Sequence, residues 1–370
     1  MFLEKAYSRR KKIEIPVSFA VLGIALCTFF LGILFEQRQD ILEKYFSLTI
    51  NKWIIQGINI ITGILPFSLG EILYVSHLIA IPFVFFLLIY KMFKGGFFKF
   101  SGKIILYISA LYILFMFLWG FNYSRISIAQ MINLEVSMYT KQELYDLNLA
   151  LVEKANNLRT LVEEDEKGLM TISGGYRDVF LRADKGFENA GEKIRPLSGR
   201  YGKPKSIALS KPMLYTRITG MYFPFTAEAN VNTAIPHLLL PATTLHEMAH
   251  QRGIAREDEA NFVAYLTGKL HPDFDFQYSA TILALFNSMN ALSREDSDLA
   301  REVASLYSED LRRDIVSYRE FWRRYEGKTS EVAERVNDSY LRSNRQDDGV
   351  KSYGRMVDLM IAHFKANKII

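Results

Sequence analysis

The chain has 370 residues, of which 49% are hydrophobic and only one is cysteine, and it carries a formal net charge of +5. This apolar content excludes intrinsic disorder, and the single cysteine excludes a disulfide-stabilised scaffold. Most of the apolar excess lies before residue 125, and most of the charge lies after it. We therefore expect two regions, residues 1–124 and 125–370, that are built for different surroundings.

The first region contains three uncharged runs that are long enough to cross a bilayer, which takes about 20 apolar residues. They are residues 15–35, 72–90 and 104–124. A cleaved signal peptide is the alternative for the first run, but its apolar core is longer than the 7–15 residues typical of such a peptide. We therefore predict three transmembrane helices and a lipid bilayer as a partner.

The uncharged segment 53–70 is interrupted by polar residues and glycines. Its strongly apolar part is about 13 residues long, which favours an interfacial or re-entrant helix over a span. Two clusters of basic residues then set the orientation, since such clusters stay in the cytoplasm. They are Lys5, Arg9, Arg10, Lys11 and Lys12 at the N-terminus, and Lys91, Lys94, Lys99 and Lys103 between the second and third runs.

Three spans place both basic clusters inside and everything after residue 124 outside, whereas four would move the second cluster out. The basic clusters are thus topology signals. The soluble part has no compact basic motif, so nucleic acid is not an expected partner.

The soluble part is mostly helical. Thr140 and Glu143 form a capping-box pattern that opens a helix to about residue 164. Short strands are predicted at residues 206–209, 213–219 and 229–233, where β-branched and aromatic residues concentrate. Helical patterns follow from residue 243 almost to the end. The expected class is α+β with helix dominant.

One motif in this helical part carries chemistry. Residues 244–253 contain the pattern H-E-x-x-H at His246, Glu247 and His250. Residues four apart share one face of a helix, so both imidazoles reach a single ion, and neutral imidazole suits Zn²⁺. Glu247 would lie beside the metal and take a proton from a zinc-bound water. The alternative, a helix with chance polar residues, would bury these groups at high cost.

A catalytic zinc site needs a third protein ligand, and the stretch after Gly253 is helix-forming. Glu257 and Glu259 are the candidates. They are two residues apart, so on a helix they point about 200° away from each other and only one can face the histidines. The metzincin alternative would need a histidine where this chain has Arg256, which excludes it.

Residues 257–261, with the sequence EDEAN, resemble the third-ligand segment of the gluzincins, zincin peptidases in which this glutamate begins an E-x-x-A-[DN] stretch. The resemblance implies that Glu257 is the third ligand and that Asn261 orients a ligand histidine through a hydrogen bond. Glu259 stays as the alternative ligand.

A wider resemblance covers nearly the whole chain. Residues 223–232 with Pro236 and Pro241, residues 337–341 and residues 348–354 are similar to uncharacterised bacterial membrane proteins grouped as domain of unknown function 3810. This resemblance implies N-terminal transmembrane helices followed by a zincin-like, mostly helical soluble domain. It implies no substrate.

Five further residues are candidates for contacts with the substrate. Tyr222, Tyr340 and Tyr353 could donate to a developing oxyanion. Asn230 and Asn232 alternate with apolar residues, as in a strand with one polar face. Gluzincins hold their peptide substrate against an edge strand, and a plain turn or loop is the alternative for these two asparagines.

These patterns predict a membrane-anchored zinc metallopeptidase that acts on a peptide or protein substrate from the outer face of a bacterial cytoplasmic membrane. The alternative is a non-catalytic membrane sensor or scaffold with a structural zinc ion. Structural zinc favours four protein ligands, often cysteine, and has no need of a base at Glu247. The soluble part has no cysteine, which favours the enzyme.

Overall fold

The computed structural model describes residues 17–344 and 355–367. The N-terminal basic cluster, residues 348–354 and therefore Tyr353 lie outside the described residues. The first elements are α1 (Val17–Gln37), α2 (Gln39–Leu42), a π-helix (Glu43–Asn51), α3 (Lys52–Gly63), α4 (Leu69–Lys94) and α5 (Phe97–Leu118).

Helices α1, α4 and α5 are long and apolar enough to cross a membrane, and they are the three such helices among the described residues. They have 21, 26 and 22 residues, which correspond to about 32, 39 and 33 Å against a hydrocarbon core of about 30 Å. Their side chains are largely exposed, as expected of surfaces that face lipid. The prediction of three helices with the length and composition of membrane spans is confirmed.

The third of these helices lies earlier in the chain than predicted. Gly95 and Gly96 both have φ of 90° and form the tight turn that ends α4 and starts α5 at Phe97. The helix ends at Leu118, and residues 120–124 form a buried 3₁₀ turn. The end of the predicted run 104–124 is therefore part of the folded interior.

Helix α3 lies within the segment for which an interfacial or re-entrant helix was predicted. Its 12 residues span only about 18 Å, too short to cross a bilayer. The side chains of Asn59 and Thr62 donate to the carbonyls of Ala227 and Thr226, at 2.6 and 2.9 Å. Trp53, like several isoleucines of this helix, is exposed. The helix is thus amphipathic, with its polar side on the rest of the protein.

The rest of the described chain is mostly helical, as predicted. The helices that follow are α6 (Ile128–Met131), α7 (Lys141–Arg159), α8 (Gly175–Arg182), α9 (Asp184–Gly191), α10 (Ser210–Met213), α11 (Leu240–Gln251), α12 (Glu257–Lys269), α13 (Phe274–Glu295), α14 (Ser297–Ser305), α15 (Glu309–Arg323), α16 (Lys328–Ser343) and α17 (Met356–Asn367). Short 3₁₀ turns occur at Gly120–Ser124, Arg195–Leu197, Leu214–Thr216 and His237–Leu239.

The largest core forms around α13, which packs against α7, α11 and α12. Phe276, Ile282 and Leu285 of α13 are fully buried. The predicted capping box of α7 is present, because the Thr140 hydroxyl accepts from the Glu143 amide at 3.2 Å. This core holds α11 and α12 side by side.

Three short strands form one small sheet in the order β1–β3–β2: β1 (Lys205–Ser206), β2 (Gly220–Phe223) and β3 (Glu228–Val231). β1 runs parallel to the central β3, and β2 runs antiparallel to it. The strand predicted at 213–219 is wrong. Residues 210–216 form helical turns that end at Arg217, whose φ of 58° is left-handed, so the strand begins only at Gly220.

A buried ion pair joins the apolar region to the soluble part. The Arg125 guanidinium lies 2.6 Å from Glu43 Oε1, and the two side chains are 4% and 7% exposed. Arg125 Nη1 also donates to the carbonyls of Arg252 and Gly253, at 2.9 and 3.1 Å. Buried polar contacts through Arg125 therefore join residues on both sides of the expected boundary at residue 124.

Replacing Arg125 with alanine should destabilise the protein strongly, since it leaves Glu43 buried and uncompensated. Breaking one side of a buried pair costs about 3–5 kcal/mol of unfolding free energy. The measurement is thermal and denaturant unfolding of the purified protein in detergent.

The matched control is Arg301→Ala, which breaks an ion pair with Asp298 whose side chains are 75% and 80% exposed. This variant should unfold almost as the wild type does, because exposed pairs contribute little. Similar losses in both variants would contradict the structural role assigned to Arg125.

Candidate metal centre

Helix α11 presents the H-E-x-x-H residues because its other face is buried in the core. Leu245, Met248 and Ala249 are fully buried, which fixes the rotation of the helix. His246 and His250, one turn apart, therefore project on the same side. After the helix, Gly253 adopts a φ of 75°, and this left-handed residue reverses the chain so that α12 returns past the histidines.

Three ligand-type atoms converge between α11 and α12. The Nε2 atoms of His246 and His250 are 3.1 Å apart. Carboxylate oxygens of Glu257 lie 3.2 Å from His246 Nε2 and 3.7 Å from His250 Nε2. Ligands about 2.0–2.1 Å from a tetrahedral Zn²⁺ would be about 3.3–3.4 Å apart. The two imidazole nitrogens and the Glu257 carboxylate, which uses a different oxygen in each of the two distances, are therefore spaced about as the ligands of one such ion would be.

The hydrogen bonds around His250 also suit metal binding. Its Nδ1 atom lies 2.6 Å from the carbonyl of Ile254, so this nitrogen donates and leaves Nε2 for the metal. Asn261, the predicted orienting residue, forms no hydrogen bond with either imidazole within residues 17–344 and 355–367. For His250 the carbonyl of Ile254 does what the sequence assigned to Asn261.

The two candidate glutamates point in different directions from α12, as their spacing requires. Glu257 faces the histidine pair. Glu259 accepts the backbone N–H of Ile128 at 3.1 Å and lies 3.7 Å from the Arg256 guanidinium. Burial raises the pKa of Glu259 to about 7. The structure thus brings Glu257 to the histidines and places Glu259 against the start of α6.

Charge and burial shift the pKa values of this cluster. Burial alone would lower the pKa of His250, but the adjacent Glu257 carboxylate raises it to about 9. Burial alone would raise the pKa of Glu257, but the two histidines hold it well below its usual range. The Glu257 carboxylate and the His250 imidazole thus stabilise one another's charged forms.

Glu247 lies beside the three converging atoms and outside their set. Its carboxylate packs against the backbone of Gly220 on β2, so closely that a side chain at position 220 would overlap it. Burial raises the pKa of Glu247 to about 7, and the nearby histidines and the backbone N–H of Tyr222 oppose this rise only in part. Oε2 of Glu247 is buried without a hydrogen-bond partner among the described residues.

Aromatic side chains from the end of α5 and from α16 form a wall beside the site. The Trp119 ring lies 5.5 Å from the His250 ring and 4.8 Å from the Tyr222 ring, measured between centroids. Trp119 Nε1 donates to the Tyr123 hydroxyl, which lies 3.2 Å from the Tyr340 hydroxyl. The structure thus brings Tyr222 and Tyr340 near the site.

Sequence reasoning missed Trp119 and Tyr123, because both belong to the run assigned to the third span. Their residue types did indicate that the third span could end near them, since tryptophan and tyrosine concentrate where a membrane helix reaches the water interface.

The two predicted asparagines have a different position from the one expected. Asn230 is on β3 and Asn232 directly follows it, and both side chains are buried. They donate to the carbonyls of Met221 and Ile218, at 3.2 and 3.1 Å. Since β3 is the central strand, these residues hold β2 in place. The edge strand next to Glu247 is β2 itself.

Comparisons with known proteins give one match. Residues 46–361 match the family described as "Protein of unknown function (DUF3810)". No curated protein and no solved structure matches the chain.

Glu257→Gln should weaken zinc binding strongly, because the amide replaces the one anionic ligand, whereas Glu259→Gln should change it little. Zinc affinity can be measured by competition with a chromophoric chelator, with far-UV circular dichroism as a check on folding. The two variants are matched controls, as both replace one carboxyl group of the same helix with an amide. A strong loss in Glu259→Gln with wild-type affinity in Glu257→Gln would reverse the assignment.

Zinc affinity should also rise with pH. The pKa of His250 is raised to about 9, so below that pH a proton occupies the imidazole and must leave when metal binds. The deprotonated fraction, and with it the affinity, should grow about tenfold per pH unit from pH 6 to 8 and level off above pH 9. The same chelator competition across this range measures it, and a flat profile would contradict the assignment of His250 as a ligand.

Proposed function

We propose that this chain, which belongs to the DUF3810 family of proteins of unknown function, is a membrane-anchored zinc-dependent metallopeptidase. One observation carries the proposal. His246, His250 and Glu257 converge as three ligand-type atoms, while the buried carboxylate of Glu247 stands next to them without belonging to the set. Three ligands with a separate base are typical of catalytic zinc sites.

His246, His250 and Glu257 would hold the ion. When bound, Zn²⁺ supplies a Lewis acid that polarises a carbonyl and makes water a better nucleophile. The donor set of two imidazoles and one carboxylate suits this metal.

Glu247 would act as the general base and then as the acid. It accepts a proton from the attacking water and passes it to the amine that leaves the broken peptide bond. Its pKa of about 7 matches this double role, because a group near neutrality both accepts and releases a proton readily. Gly220 permits the close approach that positions the carboxylate.

Tyr340 is the better placed of the two described tyrosine candidates to stabilise the oxyanion. Its hydroxyl contacts that of Tyr123 beside the site. Because Tyr340 is 43% exposed, its side chain has room to turn toward a substrate. Tyr222 is buried beneath Trp119. Its side chain therefore supports the wall of the site.

The alternative function, a sensor or scaffold with structural zinc, has less support. An unpaired buried polar atom costs about 1–3 kcal/mol, and Oε2 of Glu247 is one. A structural zinc site does not need a carboxylate oxygen without a partner, so the lost stability would serve no purpose there. A general base does need such an oxygen, because it has to accept a proton.

The proposed location is the outer face of a bacterial cytoplasmic membrane. The soluble part contacts the π-helix that follows α1, the start of α4 and the end of α5. Lys91, Lys94 and Lys99 lie at the opposite ends of α4 and α5. The positive-inside rule places those lysines in the cytoplasm, which puts the metal centre on the other side.

Glu247→Gln separates metal binding from chemistry. The variant should keep zinc, since Glu247 is not a ligand, and should lose hydrolysis, since the amide cannot accept the proton. Zinc content by elemental analysis and cleavage of a quenched-fluorescent mixture of unstructured peptides measure the two properties.

The matched control is Glu334→Gln on the exposed surface of α16, which should keep both zinc and activity. Loss of zinc in Glu247→Gln, or unchanged hydrolysis, would contradict the assigned role.

A further inference from the structure

Strand β2 connects the metal centre to the membrane end of α4. At one end, Gly220 packs against the Glu247 carboxylate. At the other end, Phe223 packs against Gly70, where an added Cβ would lie 2.8 Å from the Phe223 Cβ. Four strand residues cover about 10 Å between their end Cα atoms. The reacting centre is therefore one short strand away from the start of a helix that is apolar enough to span a bilayer.

The outer edge of β2 has no strand partner among the described residues, where β2 pairs with β3 alone. The Thr219 carbonyl accepts from the Asn232 N–H at 2.8 Å. By the alternation of an antiparallel pair, Met221 then bonds to β3, and the backbone groups of Gly220 and Tyr222 face outward. These outward groups lie on the side of Glu247, whose carboxylate packs against Gly220.

The site also lies at the level where α5 leaves the apolar layer. Trp119 directly follows Leu118, the last residue of α5, and its ring is 5.5 Å from the His250 ring. A bilayer has a headgroup layer of about 5–8 Å on each side of its hydrocarbon core. A helix of 22 residues fills about 33 Å, so Trp119, and with it the metal centre, lies close to the bilayer surface.

Two contacts fix α4 at the same level. The Glu228 carboxylate accepts the backbone N–H groups of Leu69 and Gly70, at 3.3 and 2.7 Å. Since Glu228 is the first residue of β3 and pairs with Phe223, the membrane end of the sheet is tied to the first turn of α4. The path along β2 therefore begins at the bilayer surface.

We infer that the substrate is a membrane-anchored polypeptide, cut in the segment that directly follows its own membrane helix. This inference rests on the proposed peptidase activity. The extended segment pairs with the outer edge of β2 and runs from the first turn of α4 to Glu247.

The reaction is a hydrolysis. The peptide C–N bond breaks, the carbonyl carbon gains the hydroxyl of water as a carboxylic acid, and the amine gains the proton through Glu247.

The geometry sets the cleavage position. A path of about 10 Å along β2, plus a headgroup layer of about 5–8 Å, corresponds to about five residues of extended chain at 3.3 Å each. Cleavage is therefore expected about 3–8 residues from the end of the substrate's membrane helix.

The test uses the full-length, zinc-loaded protein in vesicles of phosphatidylethanolamine and phosphatidylglycerol. One substrate library carries a randomised 20-residue segment after a Leu/Ala membrane helix and is reconstituted with the protein. A second library has the same segment without the helix and is added in solution. Mass spectrometry reads every cleavage position, and the Glu247→Gln protein identifies cuts that do not come from this site.

The inference predicts at least about tenfold more cleavage of the anchored library, with the cuts concentrated 3–8 residues from the helix. Cuts spread evenly along the anchored segment would reflect local concentration alone and would overturn the inference. Equal cleavage of the free library would also overturn it, while leaving the proposed peptidase intact. Cleavage of neither library would overturn the proposed function itself.

Discussion

The buried guanidinium of Arg125 determines how the two regions of this protein meet. It forms an ion pair with Glu43, which lies in the π-helix after α1, and it donates to the two carbonyls that follow α11. A buried charge is tolerated only when its partners are all in place. The end of α5, the π-helix and the turn at Gly253 therefore have to assemble together.

This constraint explains why the candidate metal centre has a wall made from residues at and just after the end of α5. Because Arg125 holds the chain after α5 inside the fold, Trp119 and Tyr123 come to lie beside His250 and near Glu257. The aromatic rings exclude water from one side of the cluster. Electrostatic interactions are stronger in such a dry environment, which accounts for the large opposing shifts in the pKa values of His250 and Glu257.

Two carboxylates tie the small sheet to the same region. Glu228 accepts the first N–H groups of α4, which no residue within the helix can satisfy. Glu71, in turn, accepts the N–H groups of Ala208 and Leu209 just beyond β1, at 2.7 and 2.8 Å. The sheet therefore keeps a fixed height relative to α4, and β2 stays against Glu247. The position of the edge strand therefore depends on the contacts with α4 as well as on the pairing within the sheet.

The sequence by itself determined the features that depend on local spacing. A run of about 20 apolar residues predicts a long apolar helix wherever it occurs, and residues four apart share a helix face, which predicted the common side of His246 and His250. The capping box of α7 is equally local, since its two hydrogen bonds join residues three apart.

Tertiary structure alone decided the features that depend on residues far apart in the chain. Glu257 and Glu259 lie on one helix, so either could be the ligand until the rotation of that helix is known. Burial of Phe262 and Val263 in the core fixes this rotation, and it turns Glu257 to the histidines. Asn230 and Asn232 have the alternation of a strand, but only pairing on both sides made β3 central and β2 the edge. The sequence predicted that Trp119 lies near the end of a membrane span, because the run 104–124 is uncharged. It joined the metal centre because Arg125, six residues later, finds its partners at Glu43 and at the turn after α11, and no local pattern encodes a contact over such a separation.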